Sequence, residues 1–446
     1  MNSNRRPSRL FRLAGASFAG LVLSPAPAAA QAPELISVGG ASAIFRQAHD
    51  ICQRDHGRLW GRSLCGPIML VDPRGRRVVA NQRDAGGILS SDDGYFVGVL
   101  PASENIANTA TPWSGTFWTQ IGWPLPSDPR ARGILIAHEL FHRIAPKLGL
   151  PILHQGDNHH LDTLEGRYLL QLEWRALAAA LSAPDAAARK RAVEDALIFR
   201  AERYRLFPTA QADEEALELN EGLAEYTGVR LGLSDPALRI KAAIGEFKAH
   251  GHDDTFVRSF AYATGPAYGL LLDRYSPDWR VKIRTEPRLD VLLARAAGIR
   301  LPRDVHEAAE ARALAYDGPS LHAAEVRRDA ARQEVLAAYR KKFVQGPTVH
   351  VPLVHMNIQF DPRNLQPLDE LGTIYPNARV TDDWGVLEAK NGALLSRKWD
   401  AVTLAGPATV SGNKLTGDGW TLELKPGWSA ATGARQGDIV IKGPEK

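Results

Sequence analysis

The sequence predicts an α+β protein in which two β-rich regions flank a long helical one. Residues 31–126 carry short apolar stretches separated by turn residues, which indicate strands. Residues 127–345 are rich in Ala, Leu, Glu and Arg at helical spacing. In residues 346–446, repeated prolines separate short alternating segments. A chain of 446 residues, 44% of them hydrophobic, is long enough for two or three units that each have a core.

The first thirty residues are typical of a signal peptide. Four arginines up to position 12 precede an uncharged apolar run over 13–23, and the small residues Ala28 and Ala30 suit cleavage near Gln31. The run is too short to span a bilayer, although a permanent membrane anchor is the alternative. We therefore expect export to the periplasm or the medium, without a stable membrane anchor.

The charge of the chain argues against nucleic acid as a partner. The predicted leader contains four Arg and no acid, so Lys+Arg falls from 54 to 50 against 50 Asp+Glu once it is removed. The mature chain is then close to neutral and has no long basic run. Neither feature is typical of a protein that binds nucleic acid.

Strands and one disulfide are predicted near the mature N-terminus. Ile68–Val71 and Val78–Ala80 flank a Pro-Gly turn and predict a hairpin, and Tyr95–Leu100 and Thr116–Trp123 predict further strands. The only cysteines are Cys52 and Cys65. In an exported protein, a pair so close together favours a disulfide, with two buried free thiols as the alternative.

The helical region begins with a well-capped helix. Asp128 is an N-cap acceptor and Pro129 suits the first helical position, so we expect a helix from there towards Gly149. Residues 150–164 are irregular and rich in His, Asp, Asn and Gly. Helical periodicity then dominates from Leu169 to about Val344.

The first helix carries the motif His138-Glu139-Leu140-Phe141-His142. Residues four apart share one helix face, so the two imidazoles can reach the same point, with Glu139 beside them. That geometry suits Zn²⁺, with Glu139 as general base towards a water molecule. Apolar neighbours on both sides of the motif predict burial, which argues against the alternative of a polar surface turn.

A third ligand should be a carboxylate or His on another helix. The strongest candidate is Glu221 in Asn220-Glu221-Gly222-Leu223-Ala224-Glu225-Tyr226, 79 positions after His142. The two motifs together resemble the gluzincin clan of metallopeptidases. The resemblance implies a gluzincin-like catalytic core, Glu221 as a zinc ligand, and Glu225 as the residue that orients a ligating His.

Two further expectations come from this resemblance. Thr116–Trp123, just ahead of the zinc helix, would be an edge strand to which an extended peptide could pair; an ordinary core strand is the alternative. Tyr262, in a segment similar to the Tyr-x-x-Gly region of aminopeptidase-like gluzincins, would stabilise the oxyanion, with core packing of Tyr262 or Tyr268 as the alternative. The Gly-x-Met-Glu-Asn strand of the aminopeptidase N group is absent, so aminopeptidase activity is not implied.

Other side chains compete for the role of metal ligand. The irregular segment supplies five candidates for a third ligand, a fourth ligand or a second site: His154, His159, His160, Asp162 and Glu165. A solvated loop is the alternative for these histidines. Solvation is the preferred interpretation for Glu214, Glu215 and Glu218.

The last hundred residues hold four of the ten Trp, namely Trp384, Trp399, Trp420 and Trp428. We expect them to fill the core of a β unit, with a glycan-stacking platform as the alternative.

The leading functional hypothesis is an exported metallopeptidase with one Zn²⁺ that acts on peptides or proteins. The alternatives are a zinc hydrolase of another amide or ester, and a non-catalytic binding protein with a structural zinc closed by a fourth protein ligand. The sequence predicts no oligomeric state.

Overall fold

The protein is described here by a computed structural model, which covers residues 35–361 and 364–444. The predicted signal peptide, residues 1–30, lies outside these described residues. Within them, no helix combines the length and the apolar character needed to cross a membrane. The α+β class is confirmed, since helices and strands occupy largely separate parts of the chain.

One helix and a six-stranded sheet form the N-terminal part. The elements are α1 (Val38–Asp55), β1 (Ile68–Val71), β2 (Arg77–Ala80), β3 (Ser90–Asp92), β4 (Tyr95–Val99), β5 (Thr109–Trp113) and β6 (Thr116–Gly122). The strand order is β3-β4-β2-β1-β6-β5. The predicted hairpin is present as β1 and β2, and only the β1–β6 pair is parallel.

Helix α1 was not anticipated in this β-rich region. Ser37 caps it by accepting a hydrogen bond from the Gly40 backbone, and apolar side chains at helical spacing, including Ile44 and Ile51, are buried. Those side chains join the core that covers one face of the sheet. The predicted disulfide between Cys52, in the last turn of α1, and Cys65 is confirmed.

The prediction that Thr116–Trp123 forms an edge strand is wrong. Strand β6 pairs on one side with β1 and on the other with β5, so that Thr119 lies between Ile68 and Ala110. Trp118 is fully buried. Both sides of the β6 backbone are therefore occupied, and β5 takes the edge position that β6 was expected to have.

Eleven helices in the described residues form the middle of the chain. They are α2 (Pro129–Ile144), α3 (Leu164–Ser182), α4 (Ala186–Leu206), α5 (Ala210–Leu217), α6 (Leu223–Gly232), α7 (Pro236–His250), α8 (Ser259–Tyr275), α9 (Trp279–Lys282), α10 (Leu289–Ala297), α11 (Val305–Ala313) and α12 (Gly318–Arg340). As predicted, Asp128 caps α2 by accepting hydrogen bonds from the Arg130 and Ala131 backbones. One continuous apolar core joins α1, one face of the sheet and most of these helices.

A buried ionic network ties α3, α4 and α5 together. Arg203 donates two hydrogen bonds of 2.7 Å to Glu214 and lies 2.8 Å from Glu173. Arg200 pairs with Glu173 and, through two hydrogen bonds, with Glu218. The interpretation of Glu214 and Glu218 as solvated is wrong, because both are buried. Their charges are satisfied by guanidinium groups on the preceding helix α4, 11 and 18 positions away in the sequence.

Two sheets form the C-terminal β unit. Its strands are β7 (Thr348–Pro352), β8 (Asn357–Phe360), β9 (Gln366–Pro367), β10 (Thr373–Tyr375), β11 (Ala378–Asp382), β12 (Gly385–Ala389), β13 (Ala393–Leu395), β14 (Ala401–Ala405), β15 (Thr409–Ser411), β16 (Lys414–Gly417), β17 (Trp420–Leu424), β18 (Ser429–Thr432) and β19 (Ile439–Lys442). The orders are β18-β19-β7-β14-β13-β10-β9 and β15-β16-β17-β12-β11-β8.

The tryptophans of the β unit fill its core. Trp384 and Trp420 are buried between the sheets, and their indole N–H groups donate to the Pro352 and Ala405 carbonyls. Trp399 and Trp428 are partly buried against the same core. The core interpretation is confirmed, since two of the four rings are buried and the other two pack against the same core.

The β unit should lose stability in acid through Asp438. Its carboxylate accepts hydrogen bonds from Arg435 and from the Thr348 backbone, and the Arg435 contact holds the pKa of Asp438 at about 2, below its ordinary 3.8. A lowered pKa contributes stability above about pH 4 that is lost as the pH falls through 2.

We expect Asp438→Asn to lower the free energy of unfolding by about 1 kcal/mol at neutral pH, because charged hydrogen bonds are lost. The deficit should shrink towards about pH 3, where part of the charge contribution has already gone from the wild type. Urea unfolding between neutral pH and about pH 3 measures this deficit in the free energy of unfolding. Glu423→Gln, at an exposed acid of the same β unit, is the control. A deficit that does not change with pH would contradict the electrostatic explanation.

Candidate metal centre

The motif histidines lie on a helix that is buried on nearly every side. Around them, Ile136, Ala137, Leu140 and Phe141 of α2 pack into the main core. His138 and Glu139 have no exposed surface, and the His142 side chain is 12% exposed. The alternative of a polar surface turn is therefore wrong.

Two glycines bring α6 close to α2 at the level of His138. A Cβ at Gly228 would lie 2.8 Å from the Ile134 carbonyl oxygen, and one at Gly232 would lie 2.5 Å from the Ile134 backbone nitrogen. Any side chain at these positions would force the helices apart. Their close approach places the first turn of α6, with Glu225, against His138.

Glu221 lies in a π-helical turn, Glu218–Gly222, between α5 and α6. The turn packs tightly on α8, since a Cβ at Gly265 would come 2.2 Å from the Gly222 carbonyl oxygen. Such wide turns cost regular hydrogen bonding and occur often at functional sites. Here the turn directs the Glu221 carboxylate towards α2.

Three donor atoms converge at this point. The Nε2 atoms of His138 and His142 are 3.1 Å apart, and Glu221 Oε2 lies 3.5 Å from the first and 3.4 Å from the second. In the part of the chain that the structure describes, these three residues form the one group with ligand atoms close enough together to share a metal ion. Solvent reaches the group on the His142 side.

Glu225 fixes the orientation of the His138 ring. Its Oε2 is 2.7 Å from His138 Nδ1, which leaves Nε2 directed at Glu221 and His142. Burial alone would lower the pKa of His138, but hydrogen bonds to Glu221 and Glu225 outweigh burial and raise this pKa well above its ordinary value. Burial opposes the charge on Glu221 as well, yet His142 and His138 hold the pKa of Glu221 well below normal.

Glu139 is a buried carboxylate that no hydrogen bond compensates among the described residues. Neither of its oxygens has a hydrogen-bond partner among the described residues, and the nearer one is 4.0 Å from His138 Nε2. Burial raises the pKa of Glu139 to about 8. Buried polar groups are usually hydrogen-bonded, so a carboxylate without such a bond beside convergent donors suits a site that binds a cation and a polar reactant.

Tyr262 lies directly beside the donor group. Its ring stacks on the His138 ring with 5.7 Å between centroids and 2° between planes, and the His250 ring lies 6.1 Å from it. Tyr268 is different: its hydroxyl donates to Glu173, and Arg200 lies over its ring. Of the two tyrosines, only Tyr262 is in contact with the candidate ligands.

No protein-family model, curated protein or solved structure matches this chain. The assignment of the site therefore depends on its own geometry. Two imidazole nitrogens and one carboxylate oxygen meet in a largely buried place, a second carboxylate orients one imidazole, and a third lies uncompensated beside them. This donor set fits a divalent metal ion, and the group can hold one.

The rival ligands all lie elsewhere. His160 pairs with Glu214 at 2.8 Å, His159 is hydrogen-bonded to Thr373, and His154 is exposed. Asp162 accepts hydrogen bonds from the Thr255 hydroxyl and the Phe256 backbone, while Glu165 is 3.8 Å from His322. Among the described residues, none of the five joins the candidate ligands.

Sequence reasoning missed two neighbours of the site. Arg258 Nη2 is 3.5 Å from Glu221 Oε1, and no local motif indicated this contact. On the far side of Tyr262, His250 lies between Asp253 at 2.7 Å and Glu246 at 3.4 Å. These carboxylates outweigh burial and raise the pKa of His250 to about 9. The spacing of Glu246 and His250, four apart on α7, was the available signal.

Proposed function

We propose that this protein is a zinc metallopeptidase. The observation that carries the proposal is the convergence of His138, His142 and Glu221 beside the uncompensated Glu139. Two imidazoles and one carboxylate are a common ligand set of catalytic zinc, which keeps a fourth position for a reactant. A zinc ion held by these three residues would supply Lewis-acid chemistry for the hydrolysis of an amide bond.

The roles of the protein's own groups follow from their positions. Glu139, beside the convergent donors, accepts a proton from the attacking water and returns it to the leaving amine. Glu225 holds the His138 ring in the orientation that directs Nε2 at the ligand group. Tyr262, stacked on His138, donates a hydrogen bond to the developing oxyanion.

Two features support a peptide as substrate. One is the resemblance of both motifs to gluzincins. The other is β5, which packs against α2 and has no strand on its outer side in the described part of the chain. Pro112 within β5 is typical of an edge. An extended peptide paired with this edge would lie beside the zinc helix.

A purely structural zinc is disfavoured. A closed structural site needs four protein ligands, and among the described residues three donors converge. The one ligand with partial exposure, His142, opens the group to solvent. Such a site suits catalysis better than a permanent cross-link.

Metal removal provides the test of the proposal. We expect about one zinc per chain, hydrolysis of members of a peptide library, loss of that activity after dialysis against a chelator, and recovery on adding Zn²⁺. A sample dialysed without chelator is the control. Zinc content is measured by elemental analysis and cleavage by mass spectrometry.

Two results would contradict the proposal in different ways. Undiminished cleavage by zinc-free protein would exclude metal-dependent hydrolysis. If no library peptide is cleaved but small amides or esters are hydrolysed, the protein would be a zinc hydrolase that acts on a substrate other than peptides.

A further inference from the structure

The segment Thr255–Arg258 connects the two cores of the molecule next to the candidate metal centre. Phe256 is buried in the main core against Trp174, with 4.9 Å between ring centroids. Val257, the next residue, is buried in the core of the C-terminal β unit. Consecutive side chains therefore anchor the segment on both sides of the interface.

Asp162 holds the backbone of this segment. Its carboxylate accepts hydrogen bonds from the Thr255 hydroxyl and from the Phe256 N–H, the latter 2.8 Å long. Both partners are buried. Arg258, which follows directly at the start of α8, is thus attached to a fixed backbone.

Arg258 reaches the oxygen of Glu221 that the histidines do not use. Its Nη2 lies 3.5 Å from Glu221 Oε1, whereas Oε2 faces His138 and His142. The two carboxylate oxygens therefore have separate partners. A partner on one oxygen restricts rotation of the carboxylate and keeps the other directed at the donor group.

The β unit supports the guanidinium from its other side. The Arg258 Cζ atom lies 5.8 Å from the centre of the Phe360 ring. Phe360 in turn packs edge-on against Tyr375, with 5.0 Å between centroids, and both are buried. An aromatic face attracts a cation, so the β unit helps to fix the position of Arg258.

We propose that Arg258 is a positioning residue for the metal ligand Glu221, and that the C-terminal β unit contributes to the metal centre because its Phe360 helps to hold Arg258 in place. This inference rests on the metal centre of the proposed function. It assigns the β unit a role that neither its strands nor its tryptophans indicate, namely support of the residue that restricts rotation of the Glu221 carboxylate.

The test measures zinc affinity of the full chain by competition with a chromogenic chelator, using Zn²⁺ alone as the probe. Arg258→Gln should weaken zinc binding by about 10- to 100-fold, as losses of such outer partners generally do. Arg258→Lys keeps the charge without the planar fork and should restore part of the affinity. Phe360→Leu should weaken binding less than Arg258→Gln. Thermal unfolding of the zinc-free proteins checks folding.

Arg83→Gln is the matched control. Arg83 is exposed, and its guanidinium lies 5.9 Å from the Phe96 ring, so the substitution removes the same charge and a similar ring contact on the N-terminal sheet. It should bind zinc as the wild type does. If Arg258→Gln misfolds, Arg258→Lys and Phe360→Leu test the proposal in its place. Both must then bind zinc more weakly than Arg83→Gln.

The outcomes separate this inference from the function on which it rests. Wild-type zinc affinity in Glu221→Gln would mean that the metal centre itself is wrongly assigned. Weak binding by Glu221→Gln with unchanged binding by Arg258→Gln would overturn only the role of Arg258. Weak binding by Arg258→Gln with unchanged binding by Phe360→Leu would overturn the role of the β unit.

Discussion

Replacing Glu139 by Gln should abolish most hydrolysis while leaving zinc in place. Gln keeps the size of the side chain but cannot accept the proton, and general-base catalysis contributes roughly 10²–10⁴-fold to rates. We expect kcat/KM to fall by about 10³-fold or more towards the best library peptide. Zinc affinity should stay close to wild type, because Glu139 is not one of the three convergent donors.

The same substitution should not weaken the fold. Glu139 is buried with both oxygens unpartnered among the described residues, and burial of an unpaired carboxylate is unfavourable. The zinc-free variant should therefore unfold at the same temperature as wild type or higher. Glu165→Gln, at a half-exposed acid in the same chain, is the control and should change neither activity nor stability. Full activity of Glu139→Gln would show that Glu139 is not the general base.

Replacing Arg203 by Met should produce the largest loss of stability. Arg203 is fully buried, with two hydrogen bonds to Glu214 and a contact of 2.8 Å to Glu173. Removing the cation leaves two buried carboxylates short of a partner, which generally costs about 3–5 kcal/mol. Urea unfolding of the zinc-free protein measures this loss. The effect should extend to zinc affinity, because Glu218 belongs both to this network and to the turn that carries Glu221.

Arg205→Met is the matched control for this prediction. Arg205 lies two residues later on α4, its side chain is 52% exposed, and it pairs with Glu202. Its partner Glu202 is buried but also lies 2.9 Å from His306, so the loss of this half-exposed cation should cost less than the loss of Arg203. If Arg203→Met cost no more than Arg205→Met, the buried network would not be what holds α3, α4 and α5 together.

The metal-site residues could be predicted from sequence to the extent that each belonged to a local motif. His138, Glu139 and His142 share a single helix, and their apolar neighbours indicated burial. Glu221 and Glu225 were selected by the resemblance to gluzincins, and the structure brings both to the histidines. The interval of 79 positions between His142 and Glu221 carries no geometric information of its own, because the intervening helices α3, α4 and α5 decide where the second motif lies.

Errors occurred where a contact with another helix or strand decided the environment of a segment. Thr116–Trp123 has the composition of an edge strand, but pairing with both β1 and β5 places it inside the sheet. Glu214 and Glu218 look like solvated acids, yet Arg200 and Arg203 neutralise them within the core. In each case the local pattern was compatible with two environments.

The sequence by itself determined the α+β class, the disulfide, the capped helix α2 that carries both motif histidines, and the residue types of the candidate metal ligands. Those features depend on local periodicity, caps and residue type, which are properties of short segments. Only the tertiary structure decided that Glu221 meets the histidines through a π-helical turn, that glycines allow α6 to approach α2, and that Arg258 joins the β unit to the site. The physical reason is that these features depend on packing between helices and sheets that are far apart in the chain, and no local pattern encodes such contacts.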